Sequence, residues 1–421
     1  MNEPPSSNLA RAVPPGAPAT RGPALTGLAR LMTRAFEGIN LTPLAAELIE
    51  RASTDPADAD ALMDLSTILQ LQGIHDLGVT TQAHALQTRR LFELQGRRGT
   101  GLRLLAIMAP GDLMTNTPLE FLIEDSDITL RMLYLLPDEP IPRELPAHDV
   151  VFIAVSQSDR TRAVLEQLAA AAPAWSCPVL NRPERITNTS RTRAFELLEG
   201  VAGIVMPPTA RASRAELEQI AAAARPLVDV LGGGAFPLIV RPVDSHAGHG
   251  LAKIERAADI EAYLQATAGD EFFISRFIDY RGEDGLFRKY RIVLIDGVAY
   301  AGHMGVSEHW MIHYLNAGMA HSAAKRAEEE AFMQGFETRF GRRHGDALRL
   351  VAERFGLDYL VLDCGETRDG ELLLFEVCTG AVVHAMDPVD IFPYKRPHMT
   401  KVFTAFRALL ASAMRRYAAA A

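Results

Sequence analysis

Between Leu28 and about Gln95 the apolar residues recur at helical spacing, and from Gly101 onward short apolar runs separated by turn residues take over. Within the first stretch, Leu62, Leu65, Leu69, Gly73, Gly78 and Ala85 alternate large and small positions in the manner of one helix-turn-helix unit. LRLLAIMAP, ITLRMLYLL, HDVVFIAVSQ and CPVLN then read as strands, with DRTRAVLEQLAAAA as a helix between the last two. That alternation predicts a parallel, doubly wound α/β layer, with ligands at strand ends such as 154–159 and 180–181. No GxGxxG follows the first strand, which disfavours an ordinary dinucleotide fold. NTSRTRAFELL is a capped helix start with Ser190 or Thr192 as cap, IVMPPTARAS is extended, and RAELEQIAAAA is a helix. Strands follow in FPLIVRP, DEFFISRFIDY and RKYRIVLIDGVAYAGHMGV, the last folded at Asp296-Gly297. Two helices, a second hairpin and the helix TKVFTAFRALLASAMRRY complete the chain.

The second hairpin, DYLVLDCGETRDGELLLFEVC, holds the first chemistry. Asp369-Gly370 is a type I′ turn signal, and counting outward from it sets Asp363 opposite Glu376. Like charges across a strand pair repel, and apolar strands offer them little water. A divalent cation resolves the conflict, and hard oxygens on adjacent strands suit magnesium held against nucleotide phosphates. The competing reading is a bulge or longer loop that splays the acids, leaving one at the rim and one paired with arginine.

The second such stretch is FPLIVRPVDSHAGHGLAKI, where Arg241 ends a strand and a loop containing Ser245, Gly248 and Gly250 follows. Glycines there let backbone N–H groups close over an anion beside a fixed charge; an open hairpin loop with an exposed arginine is the alternative. His246 and His249 lack a third ligand at metal-binding spacing. Arg291 enters an apolar strand and needs an acid or a substrate phosphate as partner.

Composition narrows the class. The 421 residues suffice for two or three domains, and a net charge of -9 argues against a general nucleic-acid binder. No apolar run spans a bilayer and no signal-peptide centre is present, while three cysteines form neither a disulfide framework nor a zinc spacing; a cytoplasmic protein is expected. Five lysines leave arginine most of the cationic work. The Pro- and Ala-rich leader over 1–27 is expected to be disordered.

Taken in order, the arginine-bearing strand with its glycine loop, FFISRFI, KYRIVLIDGVAY and the late hairpin with Asp then Glu resemble the ATP-grasp superfamily over about 188–403. The resemblance implies an ATP-grasp fold over 183–421, an α/β layer of the kind that precedes it over 99–182, and a helical segment over 28–98 similar to a tetratricopeptide repeat. It implies ATP and Mg2+, with Arg193 and Arg241 on phosphates where the family usually has lysine. The 244–250 loop would cover the phosphates, and the backbone from Ile274 through Ser275, Arg276 and Phe277 would face adenine. Arg291 would stabilise phosphoryl transfer, and Asp363 and Glu376 would hold magnesium. Cys378 departs from the pattern, because a thiol replaces the neutral oxygen of an asparagine; water or Asp387 could fill out the sphere.

The activity implied is ATP-dependent carboxylate-amine ligation through an acyl phosphate, on a peptide or amino-acid substrate. His303 and His384 are the candidates to recognise or deprotonate the amine, with Trp310 and His313 in the same loop as His303. Three alternatives stay open: a kinase-like enzyme, a thioester-forming one, and a peptide-binding scaffold whose ATP site has decayed. Peptide docking on the N-terminal helices and a homodimer are further options.

Overall fold

A computed structural model describes residues 24–96, 101–137, 139–142, 144–232, 234–245 and 248–420. The expected leader lies outside the described residues up to position 23, as does His246. The last residues of that leader are tied down: Leu25 is buried, and the N–H groups of Thr26 and Gly27 donate to the Asp64 carboxylate at 2.8 and 3.0 Å.

Four helices follow, α1 (Leu28–Phe36), α2 (Thr42–Thr54), α3 (Ala59–Leu71) and α4 (His75–Thr88). Asp58 caps α3 by accepting from the Ala61 N–H. Gly78 lets α4 lie close on α3, since a Cβ there would stand 2.5 Å from Gln70 Cγ, and Ser66 Oγ donates to its carbonyl. Nine of the thirteen residues of α3 are buried, because one side packs into a small helical core with Leu31 and Leu48 and the other into the main core. The helical reading to Gln95 is corrected. The chain leaves α4 at Thr88 and forms β1 (Leu91–Leu94), whose alternation buries Phe92 and lets Glu93 meet Arg131 at 2.7 Å. Pairing with a distant strand outweighed the local period.

The first sheet adds β2 (Arg103–Met108), β3 (Thr129–Tyr134), β4 (Val150–Ile153) and β5 (Val179–Leu180) in the order β1-β3-β2-β4-β5. All neighbours are parallel except β1, so the α/β expectation holds with one antiparallel edge strand. After β6 (Ile204–Val205) comes a second, antiparallel sheet of β7 (Thr209–Ser213), β8 (Leu238–Pro242), β9 (Ala252–Ile254) and β10 (Glu271–Arg276), in the order β7-β10-β8-β9. The third sheet comprises β11 (Phe287–Ile295), β12 (Val298–Ser307), β13 (Tyr359–Glu366) and β14 (Leu372–Cys378), closed at one edge by β6.

The first and third sheets share one hydrophobic core, whereas the second has its own around Leu238, Val240, Phe272 and Ile274. Two devices bind the first sheet to the third. Asn181, just after β5 and in the left-handed region at φ 52°, exchanges side-chain hydrogen bonds with the Tyr359 backbone at 2.8 and 2.9 Å. Phe406 of the C-terminal helix (Lys395–Ala420) packs its ring on Phe152 and Tyr359. No helix among the described residues is long and apolar enough to cross a membrane.

The head of α1 rests on buried acids. Glu120 Oε2 accepts from the Ala29 N–H at 2.8 Å. Burial pushes its carboxyl up to about 7, with Asp64 adding to the rise, while the Ala29 and Leu28 N–H groups and Arg30 oppose it. The native state therefore holds an extra proton from about pH 4.5 to 7, and its stability falls as pH rises through that window. Glu120→Gln keeps an acceptor without titrating, so its melting temperature relative to the parent protein should be higher at about pH 8 than at about pH 5. Thermal unfolding at both pH values checks this.

Candidate active site

The β13–β14 hairpin sets the geometry. At Asp296-Gly297 both residues take positive φ, 49° and 77°, as a type I′ turn requires. At Asp369-Gly370 only Gly370 does, at 81°, and the Thr367 N–H donates to the Glu371 carbonyl, so the connection is a three-residue loop. The register is therefore one residue short, with Glu366 facing Leu372 and Cys364 facing Leu374. A bulge at Phe375 restores it, and Asp363 faces Glu376 as the sequence implied, through two shifts that cancel.

Cations from two other elements resolve the clash of acids. Arg291, in register with Asp363 across β11–β13, grips it with Nε and Nη2 at 2.8 and 3.0 Å, and Lys289 Nζ lies 2.7 Å from Oδ2. Lys289 and Arg291 share a face because side chains on a strand repeat every two residues. Glu376 is met at 3.0 Å by Arg191 at the head of the helix Arg191–Leu198, and Arg191 also donates to the Phe375 carbonyl. Arg241 completes the set, its guanidinium held by the hydroxyl and carbonyl of Ser245. Four cations thus surround two carboxylates. Burial would raise both acids, but Arg291 and Lys289 hold Asp363 well below its ordinary value, and Arg191 and Arg241 do the same for Glu376. Burial and the neighbouring Arg191 draw the Arg241 guanidinium down to about 10, a crowding of positive charge that an anion would relieve.

These groups line a cleft of about 690 Å³ between the second and third sheets, together with Gly248, Ser275, Arg276, Phe277, His303 and His384. Ser245 and Arg193 line an adjoining space of about 630 Å³ that opens past the ends of β2 and β4. Sequence reasoning singled out Arg193, but that side chain is exposed and paired with Glu196, and Arg191 is the residue that turns inward. Ser190 occupies the N-cap position there without a side-chain cap bond. Lys289 was also missed, although its spacing from Arg291 could have revealed it.

One further expectation is corrected. Gly250 faces away from the cleft walls: its carbonyl accepts from Tyr263, and a Cβ on it would lie 2.7 Å from Pro242 Cδ, so close packing requires the glycine. In the 274–277 backbone the Arg276 and Phe277 N–H groups donate to the Pro208 and Pro237 carbonyls, and those prolines have no N–H to give to the Arg276 and Phe277 carbonyls in return. Ser275, Arg276 and Phe277 all line the cleft.

Histidines occupy the far end. A bulge at Gly302 sets His303 opposite Arg291, and its ring lies 4.6 Å from that of Tyr314. Burial, Arg291 and Lys395 hold His303 well below its usual value, so it is neutral. Tyr314 is braced from behind by a buried network in which Lys395 bonds Asp387 and Glu329 at 3.0 and 3.3 Å. Burial lowers His384 to about 4, and its Nδ1 accepts from the Met386 N–H. A neutral imidazole that accepts at Nδ1 carries its proton on Nε2, so His384 is a hydrogen-bond donor to whatever it faces and not a base.

Among the described residues no three His, Cys, Asp or Glu side chains are grouped to hold a metal ion. Asp363 and Glu376 are the hard donors present, and both already contact cations. Cys378 adds none, since burial and then Glu376 and Asp363 push its thiol up to about 12 and keep it protonated.

No sequence-family profile matches the chain, and no curated protein does. Solved structures with a similar course include the VanG D-Ala:D-Ser ligase from Enterococcus faecalis, at 13% identity and TM-score 0.46, covering 74% of this chain and 100% of that one. The D-alanine–D-alanine ligase from Bacillus anthracis complexed with ATP is similar at 14% identity and TM-score 0.44, covering 75% and 99%. An ATP-grasp RimK domain protein from Sphaerobacter thermophilus is similar at 16% identity and TM-score 0.42, covering 73% and 99%.

Proposed function

We propose that the chain is an ATP-grasp enzyme that joins a carboxylate to an amine with consumption of ATP, on an amino-acid or peptide substrate. The observation that carries this reading is the pair Asp363 and Glu376, facing each other inside a ring of four cations. Phosphoryl transfer asks a protein mainly for positioning and charge neutralisation. Arg191, Arg241 and Lys289 neutralise the phosphates, with Arg241 braced by Ser245 beside Gly248 of the loop. Arg291, fixed by Asp363 and by the Val382 carbonyl at 3.0 Å, stands ready for the charge that develops on the transferred group. A donor carboxylate oxygen bonds to the γ-phosphorus as ADP leaves, and an amine then displaces phosphate from the acyl phosphate to give the amide. His384 orients a substrate oxygen through its Nε2–H, and the neutral His303 offers the amine a hydrogen bond.

Charge counting fits one magnesium ion. Arg191, Arg241, Lys289 and Arg291 exceed Asp363 and Glu376 by two charges. A bound triphosphate brings about four negative charges, and one divalent ion closes the balance. Asp363 and Glu376 would hold that ion, which when bound neutralises phosphate oxygens, and the protonated Cys378 leaves a second ion poorly served. Cys378 also favours a second reading, a scaffold whose ATP site has decayed. ATP that raises the melting temperature more with magnesium than without supports the enzyme, and stabilisation that ignores magnesium supports the scaffold.

Two variants separate chemistry from folding. The Glu376 side chain is 38% exposed, so Glu376→Gln should change stability by about 0–1 kcal/mol while reducing ADP release, measured with carboxylate and amine both present, to background. Parental turnover in this variant would sink the assignment. Asp363 is only 7% exposed and holds two cations, so Asp363→Asn should cost about 3–5 kcal/mol by denaturant unfolding.

A further inference from the structure

The N-terminal helix α1 belongs to the wall of the cleft. One side of it buries Leu31 in the helical core, against which Ala35 also packs, while Met32 and Phe36 line the cleft at its histidine end. The Phe36 ring lies 5.9 Å from that of His384, which also has Phe121 at 6.3 Å. Ile312, Tyr314, Met114 and Met386 also line the cleft. Arg291 and Lys289 both pair with Asp363 at the boundary, leaving one net positive charge there, and beyond them His303 and His384 are imidazoles whose burial keeps them uncharged. The wall therefore offers mainly aromatic carbon and pliable thioethers, with His384 a donor at its edge.

We infer that α1 completes an apolar subsite at the histidine end of the cleft, which receives the aliphatic or aromatic side chain of the amino acid, free or at a peptide terminus, that the enzyme ligates. This rests on the ligase reading above and adds the substrate class. Its position is fixed from outside the cleft, because Glu120 and Asp64 hold the backbone at the head of α1. The N-terminal helices accordingly choose the substrate from within the active site.

The test is ADP release by the full chain with ATP and magnesium, across glycine, alanine, leucine, phenylalanine, aspartate and lysine and their dipeptides. The parent protein should favour leucine or phenylalanine over aspartate and lysine by on the order of tenfold or more in kcat/KM. Phe36→Ala should lower kcat/KM for the large apolar substrates by about tenfold to a hundredfold, mainly through KM, and for alanine by less. Met32→Trp, which fills the space, should reverse the order and favour glycine and alanine. A helix that merely supported the fold would lower all substrates together in both variants, and that result overturns the inference, as does equal use of charged substrates. Those outcomes leave the ligase reading standing, as does ATP stabilisation without release from any of these substrates, which also overturns the inference. Neither stabilisation by ATP nor release from any substrate overturns both.

Discussion

The structure depends on keeping two carboxylates, Asp363 and Glu376, face to face on neighbouring strands inside the protein. Uncompensated, the two would repel each other across the strand pair, and the buried Asp363 would be driven to protonate. Compensation comes from three directions, β11 with Lys289 and Arg291, the helix beginning at Arg191, and the end of β8 with Arg241. The acids thereby gather strands and helices that the chain brings together from positions over a hundred residues apart. The result keeps an excess of positive charge facing the cleft, which suits an anionic ligand.

Backbone irregularities do the aiming. The bulge at Phe375 returns Glu376 to the face of Asp363, and the bulge at Gly302 sets His303 opposite Arg291. A Cβ on Gly302 would come within 3.0 Å of the Arg291 carbonyl, so that bulge needs its glycine. The Phe375 ring, displaced by its bulge, packs on Tyr280 at 4.9 Å. An unbroken ladder would have put these side chains in different company, because one residue of slip reverses the face.

The walls of the cleft are stabilised separately. The third sheet is rooted in the core it shares with the first, through Asn181 and Phe406, whereas the second sheet carries its own core. Asp159, past the end of β4, joins them at one point by pairing with Arg211 of β7 at 2.7 Å. The helical segment adds a third wall through α1, so the cleft draws on every part of the described chain.

The sequence by itself determined most of the strands, both hairpins, the helical opening and the opposition of Asp363 to Glu376, because alternation and turn residues act over a few positions. It was right about that opposition while wrong about the turn, since a three-residue loop and a bulge compensate each other and neither is written in the hydrophobic pattern. Only the tertiary structure decided that Arg191 and not Arg193 faces the acids, that Lys289 shares Asp363 with Arg291, that Leu91–Leu94 leaves the helical period to pair with β3, and that Phe36 reaches His384. The reason is physical. Local periodicity specifies which face of an element is apolar, but which charge or ring meets another across the cleft depends on how distant elements pack.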